Sequence, residues 1–184
     1  SRRTEIPGGK WSKDYEGGWD VSSLIFYGKT VSDSDLETIF KISTLEYLDF
    51  NKATLPDQWH RQLPRLEKLS MIDLSNTLVD DALLRSIAKL PNIRTLILNA
   101  ATIEGDLSVL ANAEQLSDLQ LARTDINDQS MEQISKIKSL ESLTLTKTVI
   151  SSVGASHLTE LPNLKGLDLS YTEITDHAAA MCLE

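Results

Sequence analysis

Residues 140–150 read Leu-Glu-Ser-Leu-Thr-Leu-Thr-Lys-Thr-Val-Ile, with leucines at 140, 143 and 145, threonine at 148 and isoleucine at 150. The same spacing recurs at Leu116, Leu119, Leu121, Thr124 and Ile126, and again at Leu164, Leu167, Leu169, Thr172 and Ile174. Upstream it continues as Ile93, Leu96, Leu98, Ile103, then Leu69, Ile72, Leu74, Thr77, Val79, then Leu45, Leu48, Phe50, Leu55, and finally Val21, Leu24, Phe26, Val31. The seven anchors at 21, 45, 69, 93, 116, 140 and 164 are 24 residues apart five times and 23 apart once. A fixed period of this length identifies a stack of like units, none of which buries its apolar face alone.

The second half of each unit has its own apolar beat: Leu36, Ile39, Ile42; Leu84, Ile87, Leu90; Met131, Ile134, Ile137; Ala155, Leu158, Leu161. A three-residue spacing places these side chains on one side of a helix or 3₁₀ segment. Each unit therefore reads as strand, turn, helix and return. Twelve residues after the anchors stand Asp33, Asp57, Asp81, Asp128, Ser152 and Asp176, which read as helix N-caps accepting from the free N–H groups of the first turn. Acids a whole repeat apart do not converge on one ion, so capping is preferred to metal binding. The shorter fourth unit has Glu104-Gly105-Asp106 at this place, and its outer segment is expected to be the least regular.

On these residues the chain resembles the leucine-rich repeat family, specifically the bacterial type with repeats of about 24 residues and Thr-x-Ile-Thr-Asp-like turns. The resemblance covers residues 21–184 and leaves 1–20 as an N-terminal flank or cap. It implies an α/β fold: a right-handed solenoid with a parallel β-sheet on the concave face and short helices on the convex face. Many members carry an asparagine ladder; here Thr77, Thr124, Thr148 and Thr172 stand in that column, with Lys29, Ala53 and Ala101 at its other sites. A hydroxyl both donates and accepts, so these threonines are read as ties between the turn and nearby backbone.

The ends of such a stack need cover. Trp11, Tyr15 and Trp19, among Gly8, Gly9, Gly17 and Gly18, are read as a cap over the first repeat in preference to an aromatic binding site. The strand from Leu164 to Leu169 is an open edge available for association unless the chain continues. A start at Ser1 and an abrupt Leu183-Glu184 end suggest a piece of a longer protein. The compartment is left as cytoplasmic or, after removal of an upstream signal peptide, periplasmic or secreted.

Composition narrows the function. A net charge of −9 repels phosphate backbones and anionic lipid, and no run of about 18 apolar residues exists, so neither nucleic acid binding nor membrane insertion is expected. Cys182, His177 and Asp176 lie close in sequence, but Cys182 occupies the core column of Ile39, Ile87, Ile134 and Leu158, and Asp176 the capping column. They do not read as a nucleophilic triad. His60 and His157 have no metal-ligand spacing, and the Gly-Gly pairs lack a phosphate-cradling context. The expectation is a non-enzymatic chain without a cofactor or metal, whose partner is a protein or peptide. The alternative is a structural spacer or sensor segment of a larger cell-envelope protein.

Binding is then expected on the outward-pointing strand positions of the concave face. Four residues after each anchor the row is Ile25, Asp49, Asp73, Ile97, Gln120, Thr144, Asp168; two earlier it is Ser23, Tyr47, Met71, Thr95, Asp118, Ser142, Gly166; two later it begins Tyr27, Asn51, Ser75, Asn99. Partner contact is expected at Ile25, Tyr27, Tyr47, Asp49, Met71, Asp73 and Ile97, with Asp49 and Asp73 close enough to repel unless a cation lies between them.

Overall fold

A computed structural model describes the backbone of residues 9–13 and 19–174 and the side chains of residues 21–174. Tyr15, Asp176, His177 and Cys182, and the side chains of Trp11 and Trp19, lie outside the described residues. The leucine columns do what their spacing demands: the anchor and the residues three and five places after it turn inward, buried in the first six units and partly buried in the last. In the central unit Leu116, Leu119 and Leu121 are all fully buried. Every strand repeats that arrangement on the next, so the buried side chains of all units form one continuous apolar core.

Seven strands follow from the seven anchors: β2 (Trp19–Ile25), β3 (Tyr47–Asp49), β4 (Met71–Asp73), β6 (Thr95–Ile97), β8 (Asp118–Gln120), β9 (Ser142–Thr144) and β10 (Gly166–Asp168). They pair in parallel in that order, as the repeat requires. The register joins equivalent positions, Ile25 to Asp49 to Asp73 to Ile97 to Gln120 to Thr144 to Asp168. Strand β1 (Gly9–Lys13) adds to the β2 edge in antiparallel fashion, with a bulge between Lys10 and Trp11, and so occupies the backbone groups of the first repeat's outer edge. A second, two-stranded parallel ladder joins β5 (Leu78–Val79) to β7 (Thr102–Ile103) on the flank between sheet and helices.

The opposite layer holds four α-helices, α1 (Asp33–Ile39), α2 (Asp81–Ile87), α3 (Asp128–Ile134) and α4 (Ser152–Ala155). Two units replace the α-helix by a 3₁₀ segment, Trp59–Arg65 in the second and Leu107–Asn112 in the fourth. Irregularity was expected only in the fourth. In the second, Pro64 supplies no N–H inside the segment and Gln58 enters it in the left-handed conformation without a capping side chain. Trp59 packs edge-on to Phe50 at 5.0 Å between ring centres and fills that unit's outer layer.

The capping residues stand one place earlier than expected: Ser32, Asp80, Asn127 and Ser151 cap the α-helices, and Asp106 caps the fourth unit's segment. Asp33, Asp81, Asp128 and Ser152 are the first helical residues, and Asp57 caps nothing. Two of these displaced acids tie consecutive units together. Asp81 Oδ1 accepts from the Asp106 N–H at 2.8 Å, and Asp128 accepts from the Ser151 N–H at 2.8 Å and its hydroxyl at 2.7 Å. The threonine column behaves as expected of a hydroxyl, but inside one turn: Thr77, Thr124, Thr148 and Thr172 each donate to the carbonyl three residues back, at 2.6–2.7 Å. Further ties between units come from the residue before four of the anchors, where Thr44, Asn92, Ser139 and Asn163 donate to backbone carbonyls 23 to 25 residues earlier.

Candidate functional site

The parallel register assembles the seven expected contact residues on four adjacent strands. Ile25, Asp49, Asp73 and Ile97 form one row across β2, β3, β4 and β6, Tyr47 and Met71 stand side by side in the row before it, and Tyr27 follows β2. Their exposure is unequal. Tyr27 is 54% exposed, Ile25, Tyr47, Met71, Asp73 and Ile97 are half-buried, and Asp49 is only 9% exposed. Asp49 therefore lies in the floor of the patch and does not project from it.

The two acids are not bridged by a cation. Among the described residues no lysine or arginine forms an ion pair with Asp49 or Asp73; the Lys52 ammonium lies over the Tyr27 ring, 5.5 Å from its centre. Each carboxylate instead turns back on its own chain, with Asp49 Oδ1 accepting from the Asn51 N–H and Asp73 Oδ1 from the Ser75 N–H, both at 2.8 Å. Asp168 repeats the turn on Ser170 at 2.9 Å. The Tyr47 hydroxyl adds a bond to Asp49 Oδ2 at 3.3 Å. Burial pushes the Asp49 carboxyl up; the Asn51 N–H opposes this, the Asp73 charge reinforces it, and the Tyr47 hydroxyl opposes it. The same surroundings push the Tyr47 phenol up to about 12, first by burial and then by the two carboxylate charges.

The sequence places Asn51 and Asn99 beside this patch but not in it, and Lys52 and Arg123 stand at the turns that follow these strand ends. The structure shows why they matter geometrically: seven residues after every anchor the backbone turns left-handed, at Gly28, Lys52, Asn76, Ala100, Arg123, Lys147 and Tyr171. These turns form a ridge along the sheet, and a trench of about 560 Å³ runs between the ridge and the strand ends, from Tyr27 to Thr146. Glycine or asparagine in all seven positions would have revealed the ridge; only Gly28 and Asn76 do. Further along the sheet the carboxylate Asp118 Oδ1 is buried without a hydrogen-bond partner among the described residues, while Asp118 Oδ2 accepts from Gln120 at 3.3 Å.

Among the described residues no group of three His, Cys, Asp or Glu side chains is placed to hold a metal ion, and no helix is long and apolar enough to cross a membrane. What the surface offers is shape, aromatic area and hydrogen-bonding groups on a fixed sheet.

Comparison with solved structures places this arrangement. The chain is similar to an internalin (inlF) from Listeria monocytogenes, at 21% identity and a TM-score of 0.55 over 83% of this chain and 48% of that one. It is likewise similar to an internalin C2 of the same organism, at 19% identity and a TM-score of 0.56 over 85% of this chain and 74% of that one. A leucine-rich-repeat protein of Leptospira interrogans matches at 19% identity and a TM-score of 0.57, over 78% of this chain and 36% of that one. The fold is a leucine-rich-repeat solenoid like that of these bacterial proteins. The chain spans about half the length of the first of these leucine-rich-repeat proteins and about a third of the Leptospira protein. No family model and no curated protein sequence matches it.

Proposed function

We propose that this leucine-rich-repeat chain is a non-enzymatic binding module that holds a protein or peptide on the concave sheet face, centred on Ile25, Tyr27, Tyr47, Asp49, Met71, Asp73 and Ile97. The observation that carries the reading is the in-register patch itself, in which aromatic, thioether and branched apolar side chains surround two carboxylates without a cation from the described residues of the chain. Rigid aromatics and an adaptable methionine are the side chains from which interface anchors are built, and one such anchor contributes about 2 kcal/mol or more. Asp49 supplies little contact area from the floor of the patch. Its role is to hold Tyr47 in place and, with Asp73, to favour a basic partner group above the pair.

The test compares two double variants of the full-length protein, Tyr27→Ala with Tyr47→Ala and Asp49→Asn with Asp73→Asn. Both should keep the parental circular dichroism and weaken partner capture about tenfold or more, as loss of an anchor does. A spacer would show no such loss. If both doubles fold and capture at parental affinity, the binding site lies elsewhere, the opposite end with Lys147, Lys165 and Tyr171 being the next place to examine.

A further inference from the structure

The trench beside the ridge has unused hydrogen-bonding capacity. Asn76 Nδ2 donates to Asn51 Oδ1 at 3.0 Å, which leaves the Asn51 amide hydrogens and the Asn76 carbonyl oxygen without partners among the described residues. Asn99 is held from both sides, its Oδ1 accepting from the Ala122 N–H at 2.9 Å and its Nδ2 donating to Gln120 at 3.4 Å, so it forms a fixed wall. The row is thus a line of amides crossing the strand direction, the side-chain counterpart of a backbone to which another backbone can bond.

Charge is placed along that line unevenly. Lys52 and Arg123 both line the trench, both are exposed, and neither forms an ion pair among the described residues. They stand three turns apart, and at about 4.8 Å per strand this is roughly 14 Å along the stack. An extended peptide rises about 3.4 Å per residue and alternates its side chains between two faces, so residues four apart cover the same distance and point the same way. Asp73 lines the trench between the two cations and repels a third negative charge there.

We infer that the trench binds an extended peptide segment crossing the strands, with acidic side chains four residues apart on Lys52 and Arg123 and non-acidic residues between them. The inference rests on the concave-side binding reading and gives it a sequence preference. The two cations read the acidic pair, the Asn51 and Asn76 amides bond the peptide backbone, and Tyr27 offers its face to the residue beyond Lys52. The chain's net charge of −9 opposes an acidic ligand at long range, but at 0.15 M salt that repulsion is screened beyond about 8 Å and the local cations dominate.

A displayed library of random twelve-residue peptides selected on the full-length protein at 0.15 M salt tests this directly. Enriched peptides should carry two acidic residues at a separation of four. Lys52→Glu combined with Arg123→Glu, two exposed substitutions checked by circular dichroism, should weaken the selected peptides at least tenfold. Replacing both acidic residues of the peptide by lysine should then restore binding to that double variant. Enrichment of peptides without the acidic pair, enrichment at another separation, or parental affinity in the charge-reversed variant overturns the inference while leaving concave-face binding intact. No enrichment of any peptide overturns the inference and the peptide half of the reading beneath it.

Discussion

Gly28 and Gly105 show two different demands on a single residue. Gly28 sits at φ +64° with nothing within 4 Å of where a Cβ would be, so the cost of Gly28→Ala is that of the left-handed backbone alone, about 1 kcal/mol. At Gly105 a Cβ would lie 2.8 Å from the Asp81 backbone nitrogen and 2.7 Å from Leu84, so the fourth unit has no room for a side chain. Gly105→Ala should therefore destabilise more than Gly28→Ala in urea unfolding, and the reverse order would contradict this packing of the fourth unit on the third. Tyr47 supplies a pH signature. Its phenol titrates near 12 when folded and near 10 when unfolded, so the folded state holds the proton more tightly. The stabilisation it contributes is complete below about pH 10 and is lost as pH rises through about 12. Phenolate absorbance should show one tyrosine ionising late, absent from Tyr47→Phe and shifted down in Asp49→Asn; no late component would contradict the burial and charge assigned to Tyr47. The left-handed ridge as a whole could not be read from residue types, because five of its seven positions carry Lys, Ala, Arg, Lys and Tyr, side chains without a preference for that conformation.

At the scale of the element, the sequence shows each helix start to within one residue and misplaces its chemistry by that residue. The column of acids twelve after the anchor looks like a row of caps because Asp is a good cap, yet the residue before it in every α-helix, Ser32, Asp80, Asn127 or Ser151, is equally good and holds the extended conformation a cap needs. Freed from capping, Asp128 reaches the next unit, and the Ser151 hydroxyl and N–H hold its carboxyl below the usual range. Gly154 belongs to the same joint, since a Cβ there would collide with Asp128. Asn127→Ala should cost about 1 kcal/mol as a lost cap, and Asp128→Ala about 2 kcal/mol, because two charge-assisted bonds between units are lost. The distinguishing readout is a double-mutant cycle with Ser151→Ala. Coupling of about 1 kcal/mol or more with Asp128 and little with Asn127 is expected; equal coupling would return Asp128 to the role of a simple cap.

Across the whole molecule the period was the legible part. Seven apolar anchors fixed the number of strands, their parallel order and their register, since a slip of one residue would turn each buried column outward. Leu121, fully buried in a central unit, should cost about 2–5 kcal/mol when replaced by Ala. The antiparallel β1, the 3₁₀ outer segment of the second unit and the amide-lined trench were not legible: β1 lies outside the repeat, the 3₁₀ segment follows from Pro64 and an uncapped start that the period does not show, and the trench depends on backbone turns that most of its residue types do not encode. The candidate patch was legible as a set of positions but not in its exposure: Asp49 was expected on the surface and is 9% exposed. The central claim is that the partner sits on the concave sheet and not on the helical side. It is tested most directly by placing a photo-crosslinking amino acid at Ile97 on the sheet face and, separately, at Lys136 just beyond α3 on the helical side, then illuminating the full-length protein with its captured partner. Covalent partner adducts from Ile97 and none from Lys136 are predicted; adducts from Lys136 and none from Ile97 would contradict concave-face binding.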